Sequence, residues 1–414
     1  MVSVFLFTKQ VFLTLALALF VQGLVIPEEQ SSELTLGKRG NGFLALDFEV
    51  KTEYAPLSNS TNAYGVVTEQ RDGKIINVDM VNMQTYYLSD IGVGSNNQRF
   101  KLVIDTGSSD LWVAANNIQC QPQDPNLNLA ADYCRQNGVY DASASSTSQN
   151  TGQYFRIGYG DGSGASGTLY KDDVNINGAV VKNAPVNSVD SSSVIGNGGI
   201  LGVGFTTNEA MRQNYDNIPV LLKKQGLIDK NAYSIYLNDP NATKGSIIFG
   251  GIDNAKVDGQ LKTLPILSNT ELRIKLDSLS VNGQNININL PMLLDSGTTL
   301  SYFQSDVYSS IMSTLGAQYY NSDIGYIMQC NTQGNLVYDF AGQKITVPYS
   351  DILLPLTYQD GSQAPFCMVG IIQSSNNILG DNFLRRSIVA YDLDAKTIGV
   401  APVQYTSASN IVAL

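Results

Sequence analysis

A chain of 414 residues, 43% of them hydrophobic, can bury sizeable cores and exceeds the usual size of one compact domain, so two lobes are expected. Its 36 Asp+Glu outnumber 25 Lys+Arg, and no basic run is present that could neutralise phosphates, which argues against nucleic acid as a partner. The complete absence of histidine excludes Ser-His-Asp and Cys-His catalysis and zinc sites built on H-E-x-x-H. Carboxylate, Lys, Tyr or Ser-Lys chemistry is what remains for hydrolytic work.

Residues 1–23 read as a secretory signal: Lys9 in a short n-region, an apolar stretch from Val11 to Val21, then Val21-Gln22-Gly23 where a signal peptidase wants small or apolar residues. Eleven residues are too few to span a bilayer, which needs about 20. The C-terminal Ile411 to Leu414 lacks the tail of a lipid-anchored precursor, so a secreted, extracellular chain without a membrane anchor is expected. Residues 24–73 read as a pro-segment. Its end is set either by the dibasic Lys38-Arg39 or by the monobasic Arg71, and it contains a strand-like Phe43 to Val50 and a loop-like Ser58 to Ala63. Four cysteines in a secreted chain imply two disulfides with three possible connectivities; the sequential one, Cys120–Cys134 with Cys330–Cys367, places one bridge in each half. The tight paired spacings of a four-cysteine zinc site are absent. Asn59 and Asn241 head sequons and are glycosylation candidates.

From Ile75 onward, short β-rich runs alternate with Gly, Asn, Asp and Ser. They include Thr85 to Val93, Phe100 to Ile104, Leu111 to Ala114, Tyr154 to Tyr159, Ala232 to Leu237, Arg273 to Val281 and Ser387 to Tyr391. The pattern is all-β, with helices expected only over Ile218 to Gln225 and Phe303 to Leu315. A weak internal repeat organises the rest. Leu102-Val103-Ile104-Asp105-Thr106-Gly107-Ser108-Ser109 recurs as Met292-Leu293-Leu294-Asp295-Ser296-Gly297-Thr298-Thr299. Gly199-Ile200-Leu201-Gly202 follows the first copy and Asn377-Ile378-Leu379-Gly380 the second. From Asp105 to Ile200 is 95 residues and from Asp295 to Ile378 is 83, so the chain divides into two related lobes, 74–255 and 256–414.

Each apolar triplet reads as a buried strand, and the glycine after it lets the chain turn so that the aspartate projects from the strand end. The small Thr106 and Ser296 suit a crowded junction between two facing loops, while Ser108 and Thr298 are placed to hydrogen-bond the outer carboxylate oxygens. Facing loops would bring Asp105 and Asp295 together; two carboxylates a few Å apart cannot both ionise cheaply, so they share a proton. The aspartic-protease dyad is the standard example of that behaviour.

On these residues the chain resembles the pepsin family, most closely the secreted aspartic peptidases of yeasts, over about Met83 to Pro402. Asp105-Thr106-Gly107-Ser108-Ser109-Asp110-Leu111-Trp112-Val113 matches the first active-site segment, Asp295 to Thr299 the second, and Ile378 to Arg385 the closing signature. The resemblance implies a bilobal pepsin-like fold with a cleft between β-barrel-like lobes. It also implies an acid-active endopeptidase made as a zymogen, acting on polypeptides as a monomer with no cofactor or metal. It further implies a flap: Ile157 to Gly164 matches it, making Tyr159 the flap residue, hydrogen-bonded by the Trp112 indole, with Gly160 and Asp161 beside it. Five glycines between Gly158 and Gly167 independently favour a mobile hairpin tip. Gly107, Gly297, Thr298 and Thr299 are expected to contact substrate. In the implied mechanism an ionised Asp105 takes a proton from a water that attacks the peptide carbonyl, and Asp295 supplies one to the carbonyl oxygen. One departure from pepsin is the long Cys120 to Cys134 loop, expected to border the flap side of the cleft. The alternatives are a catalytically silent binding or inhibitor protein of the same fold, against which both aspartates stand, and a dimeric retroviral-type peptidase, which would carry one motif per chain.

Overall fold

The computed structural model describes residues 42–53, 69–71, 74–77, 84–121, 133–194, 198–211, 215–242, 244–322, 324–358 and 363–414. The signal segment, Lys38-Arg39, Asn59 and most of the Cys120 to Cys134 loop lie outside the described residues. Among them, strands dominate and helices are few and short. The first half contributes β1 (Leu44–Glu53), β2 (Glu69–Arg71), β3 (Lys74–Asn77), β4 (Gln84–Val93), β5 (Gln98–Asp105) and β6 (Leu111–Cys120). It continues with β7 (Gln149–Gly158), β8 (Gly164–Ile176), β9 (Ala179–Ser192), β10 (Gly199–Gly202), β11 (Ala232–Tyr236) and β12 (Lys244–Phe249).

All of these except β2 and β3 join one thirteen-stranded sheet, which also takes strands Lys262–Pro265, Ser387–Asp392 and Thr397–Pro402 from the second half. The crossing runs through β11, whose Ile235 pairs with Val389. A seven-stranded sheet carries the rest of the second half's core, and a six-stranded one packs beside it. In β1 the alternating Leu44, Leu46 and Phe48 are buried, with β12 on one side and β4 on the other. Strand Arg273–Val281 buries Ile274 and Leu276, then shifts register between Leu276 and Ser278, so that Leu279 and Val281 also point inward. β5 is instead buried almost continuously from Leu102 to Asp105, because strands flank it and layers cover both of its faces.

The helices follow their local chemistry. Asn217 caps Ile218–Lys224, its side chain accepting from Val220 N–H at 3.4 Å, with Pro219 in the first turn. Helix Ser305–Leu315 buries Val307, Tyr308, Ile311, Met312 and Leu315 on one face and stops at Gly316, whose φ of 70° suits glycine. It starts two residues later than the sequence pattern indicates, because Phe303 belongs to strand Ser301–Phe303. The disulfides are Cys120–Cys134 and Cys330–Cys367.

The internal repeat has a structural counterpart. β10 lies parallel to β5, with Leu201 opposite Ile104, and Ile378–Leu379 lies parallel to Gln284–Leu294, with Leu379 opposite Leu294. Each short strand ends in a glycine passing under the loop of its own half. A Cβ on Gly202 would sit 2.5 Å from Ser109 N, and one on Gly380 would sit 2.2 Å from Thr298 O. The Ile-Leu-Gly recurrence is thus a packing requirement of the two aspartate loops.

Candidate active site

The carboxylates of Asp105 and Asp295 leave the ends of two strands that face each other, and both are buried. The loops interlock. Thr106 Oγ1 donates to Leu294 O at 2.8 Å and accepts from Ser296 N–H at 3.0 Å; Ser296 Oγ donates to Ile104 O at 2.9 Å and accepts from Thr106 N–H at 3.2 Å. All four bonds are buried and cross between the halves. A methyl on Gly107 would lie 2.7 Å from the Asp295 carboxylate and one on Gly297 would lie 2.5 Å from Asp105 Oδ1, so only glycine lets the two loops close.

Each carboxylate is held in the same way. Asp105 accepts from Gly107 N–H at 2.8 Å and from the Ser108 hydroxyl at 2.5 Å. Asp295 accepts from Gly297 N–H at 2.9 Å and from the Thr298 hydroxyl at 2.6 Å. These donors favour ionisation, but burial and then the neighbouring Asp295 charge outweigh them at Asp105 and hold its carboxyl above the usual carboxylate range. Thr299 follows on the second loop, its carbonyl accepting from Asn382 N–H at 3.2 Å.

Over this floor stands the β7–β8 hairpin, with Gly158 opposite Gly164. Its tip is held by Tyr159 N–H to Ser163 O at 2.8 Å and by Ser163 N–H to Asp161 Oδ1 at 2.8 Å, with Gly162 at a φ of 85°. The Trp112 indole N–H donates to Tyr159 O–H at 2.7 Å. Trp112 is fully buried in a small apolar cluster with Leu88, Val103, Phe155 and Val189, against which Ile157, Tyr159 and the Cys120–Cys134 bridge also pack. Gly160 and Asp161 are exposed at the tip. The hairpin is therefore anchored by an apolar cluster, and Tyr159 sits near Asp105, whose charge adds to burial in raising its phenol.

Several neighbours were given no role from the sequence. Tyr302, partly buried on strand Ser301–Phe303, has its phenol raised by burial, then by the charges of Asp161 and Asp295. Asp381 is fully buried beside the second loop with no hydrogen bond to either carboxylate oxygen, and burial raises its pKa against the favourable charge of Arg385. Arg385 Nε donates to Tyr87 O–H at 2.9 Å, tying the closing signature of the second half to β4 of the first. Behind the first loop, Asp110 accepts from Ala210 N–H at 2.9 Å and from the Tyr215 hydroxyl, and Glu209 Oε2 accepts from Tyr215 N–H at 2.8 Å. Half-burial pushes Glu209 up to about 8, and its Oε1 has no partner. The Asp-Leu-Trp and Arg385 positions carried a signal in the matched motifs; Tyr302 and Glu209 carried none. Among the described residues no group of three His, Cys, Asp or Glu is placed to hold a metal, and no helix is long and apolar enough to cross a membrane.

Comparison with known proteins places this geometry. A family model described as eukaryotic aspartyl protease matches residues 86–403. The chain is 45% identical to Secreted aspartic protease 1 of Candida albicans, an alignment covering 99% of this chain and 100% of that protein. It is 44% identical to Secreted aspartic protease 6 of Candida albicans, over 95% of this chain and 91% of that protein. Secreted aspartic protease 8 of the same organism is 42% identical over the full length of both chains.

Proposed function

We propose that this chain, which belongs to the eukaryotic aspartyl protease family and is an aspartic endopeptidase, hydrolyses peptide bonds through a water held between Asp105 and Asp295. The observation that carries the reading is the reciprocal closure of the two loops, in which each glycine borders the other loop's carboxylate. Such a pair keeps one proton over a wide pH range. The ionised member takes a proton from the water as it attacks the carbonyl carbon. The protonated member gives its proton to the carbonyl oxygen, and the tetrahedral species collapses as the amine leaves protonated. The family resemblance assigns the proton to Asp295, but with a water between the two carboxylates it belongs to the pair. Tyr159, held by Trp112, closes over the substrate with Gly160 and Asp161, while Gly107, Gly297, Thr298 and Thr299 line the floor. The singly protonated dyad disappears as pH rises through its upper titration, so hydrolysis is highest in acid.

The same reading covers processing. The protein is secreted as a zymogen and acts on polypeptides as a monomer, and its pro-segment ends at Arg39 rather than at Arg71. Discarding everything up to Arg71 would remove β1, whose Leu44, Leu46 and Phe48 are worth about 5–8 kcal/mol of burial, from the sheet it helps to build. Asn241, exposed in a turn, is the proposed glycan acceptor.

The decisive experiment compares Asp105→Asn and Asp295→Asn with the parent on a peptide library, with and without a statine-type transition-state analogue. Each variant should be secreted and folded and should lose at least about a thousandfold in turnover. Retention of substantial activity by either one would remove the dyad from the mechanism.

A further inference from the structure

Two tyrosines meet where the first half joins the second. Tyr233 on β11 and Tyr391 on strand Ser387–Asp392 are direct cross-strand partners. Partners in an antiparallel pair place their side chains on the same face, and these two rings stack with centroids 4.9 Å apart. Both residues are fully buried. A local two-fold axis passes between such partners, so Tyr233 stands to the first half as Tyr391 stands to the second. Their surroundings agree. The phenol of Tyr233 is raised by burial, then by Tyr391 and Asp105, and that of Tyr391 by burial and then, against a hydrogen bond with Thr106, by Asp295.

The hydroxyls break this equivalence. Tyr391 O–H donates to Leu294 O at 3.2 Å, the carbonyl that also receives Thr106 Oγ1 at 2.8 Å. The corresponding carbonyl of the first half is Ile104 O, to which Ser296 Oγ donates at 2.9 Å. Tyr233 gives that carbonyl nothing, since its hydroxyl is buried with no partner among the described residues. The consequence falls on one peptide group. The Leu294–Asp295 peptide is a rigid plane whose N–H donates to Leu379 O at 3.0 Å and whose carbonyl is held by two hydroxyls from different elements. Pinning both edges of the plane fixes its rotation, and with it the direction in which the Asp295 side chain leaves the backbone.

We propose that Tyr391 is a positioning residue for the aspartate pair: its hydroxyl orients the Leu294–Asp295 peptide and so aims the Asp295 carboxylate, while Tyr233 does nothing comparable for Asp105. The proposal rests on the peptidase reading above and adds to it a residue outside the matched motifs. Packing in the stack needs only the rings, and a buried hydroxyl is costly unless bonded, so the bond to Leu294 O is where the Tyr391 oxygen acts. Water attack depends on the placement of the reacting groups to within a fraction of an ångström, and a loosely aimed carboxylate slows that step without weakening the hold on the rest of the substrate.

The test compares the full-length secreted chain with Tyr391→Phe, Tyr233→Phe and the double variant on one fluorogenic peptide that the parent cleaves. Active sites are counted by titration with a statine-type analogue, so that kcat refers to folded enzyme only. Tyr391→Phe leaves Leu294 O its Thr106 donor and orphans no group, so the variant should fold. Its kcat should fall about threefold to tenfold, the equivalent of one net neutral hydrogen bond, with KM within about twofold of the parent's. Tyr233→Phe should match the parent in both constants, and the double variant should match Tyr391→Phe. A parental kcat for Tyr391→Phe, whatever its Tm, a loss carried by KM alone, or an equal loss for Tyr233→Phe would overturn the proposal. Failure of Tyr391→Phe to fold would make the residue structural and overturn it as well. Inability of the parent to cleave any peptide would instead defeat the peptidase reading, so the two failures are separable.

Discussion

The interlocked hydroxyls under the aspartates give an asymmetric prediction despite their symmetric appearance. Removing the Ser296 hydroxyl by Ser296→Ala strips Ile104 O and Thr106 N–H of their partners inside the interface. Removing the Thr106 hydroxyl strips Ser296 N–H, but Leu294 O keeps a second donor, the Tyr391 hydroxyl at 3.2 Å. Each buried group left unpaired costs about 1–3 kcal/mol, so Ser296→Ala should cost about 2–5 kcal/mol and Thr106→Ala about half of that. Urea unfolding in an Asp105→Asn background, which prevents self-digestion, can be followed by the fluorescence of Trp112, the single, fully buried tryptophan. The midpoints should fall in the order parent, Thr106→Ala, Ser296→Ala. Equal midpoints, or a larger loss for Thr106→Ala, would refute the count of orphaned groups.

Glu209, half-buried and pushed up to about 8, binds its proton more tightly folded than unfolded, so its contribution is complete below its unfolded titration near pH 4.5 and is lost as pH rises toward 8. Glu209→Gln, which keeps an acceptor for Tyr215 N–H, should therefore leave Tm unchanged at about pH 4 and raise it at about pH 7.5; the reverse pattern would place the group's proton wrongly. Tyr159→Phe keeps the ring but leaves the buried Trp112 N–H without its acceptor, so kcat/KM should drop about fivefold to tenfold and stability should fall by about 1–3 kcal/mol. Unchanged kinetics would mean that the flap needs no such anchor. N-terminal sequencing of the secreted protein should begin at Gly40; a start after Arg71 would contradict a structural role for β1.

The parts of the site legible in the sequence are those in which backbone crowding dictates residue type. Asp105 to Ser108 and Asp295 to Thr298 stand out because glycine and small hydroxyls are the only side chains that fit where two loops touch, and the Ile-Leu-Gly strands repeat for the same reason. Tyr302 and the Arg385–Tyr87 contact were invisible because their neighbours are brought close only by pairing between distant strands; Asp381 lay within the matched closing signature, but its burial without partners did not show there. The alternation pattern marks no run over the long β8 strand. Lys171-Asp172-Asp173 in the middle of β8 looks like a break, yet Asp172 is buried and satisfied by the hydroxyls of Tyr140, Ser145 and Thr147. A polar residue with enough local donors can occupy a core strand, and alternation alone does not reveal it. The β2–β3 hairpin did have a local signal, the Asp72-Gly73 pair between Arg71 and Lys74, but nothing local specifies the distant strand it joins.

The four hydroxyl bonds between Thr106, Ser296, Ile104 and Leu294 also act on the order of events during folding. Neither half can complete this set alone, since every bond has one end in each. A chain in which only one half has folded has an aspartate with no counterpart across from it, and hence, on the proposed mechanism, no position for the attacking water. Proteolytic capacity thus arrives with the last docking step. On the proposed mechanism, local opening of the junction would silence hydrolysis before either half unravels.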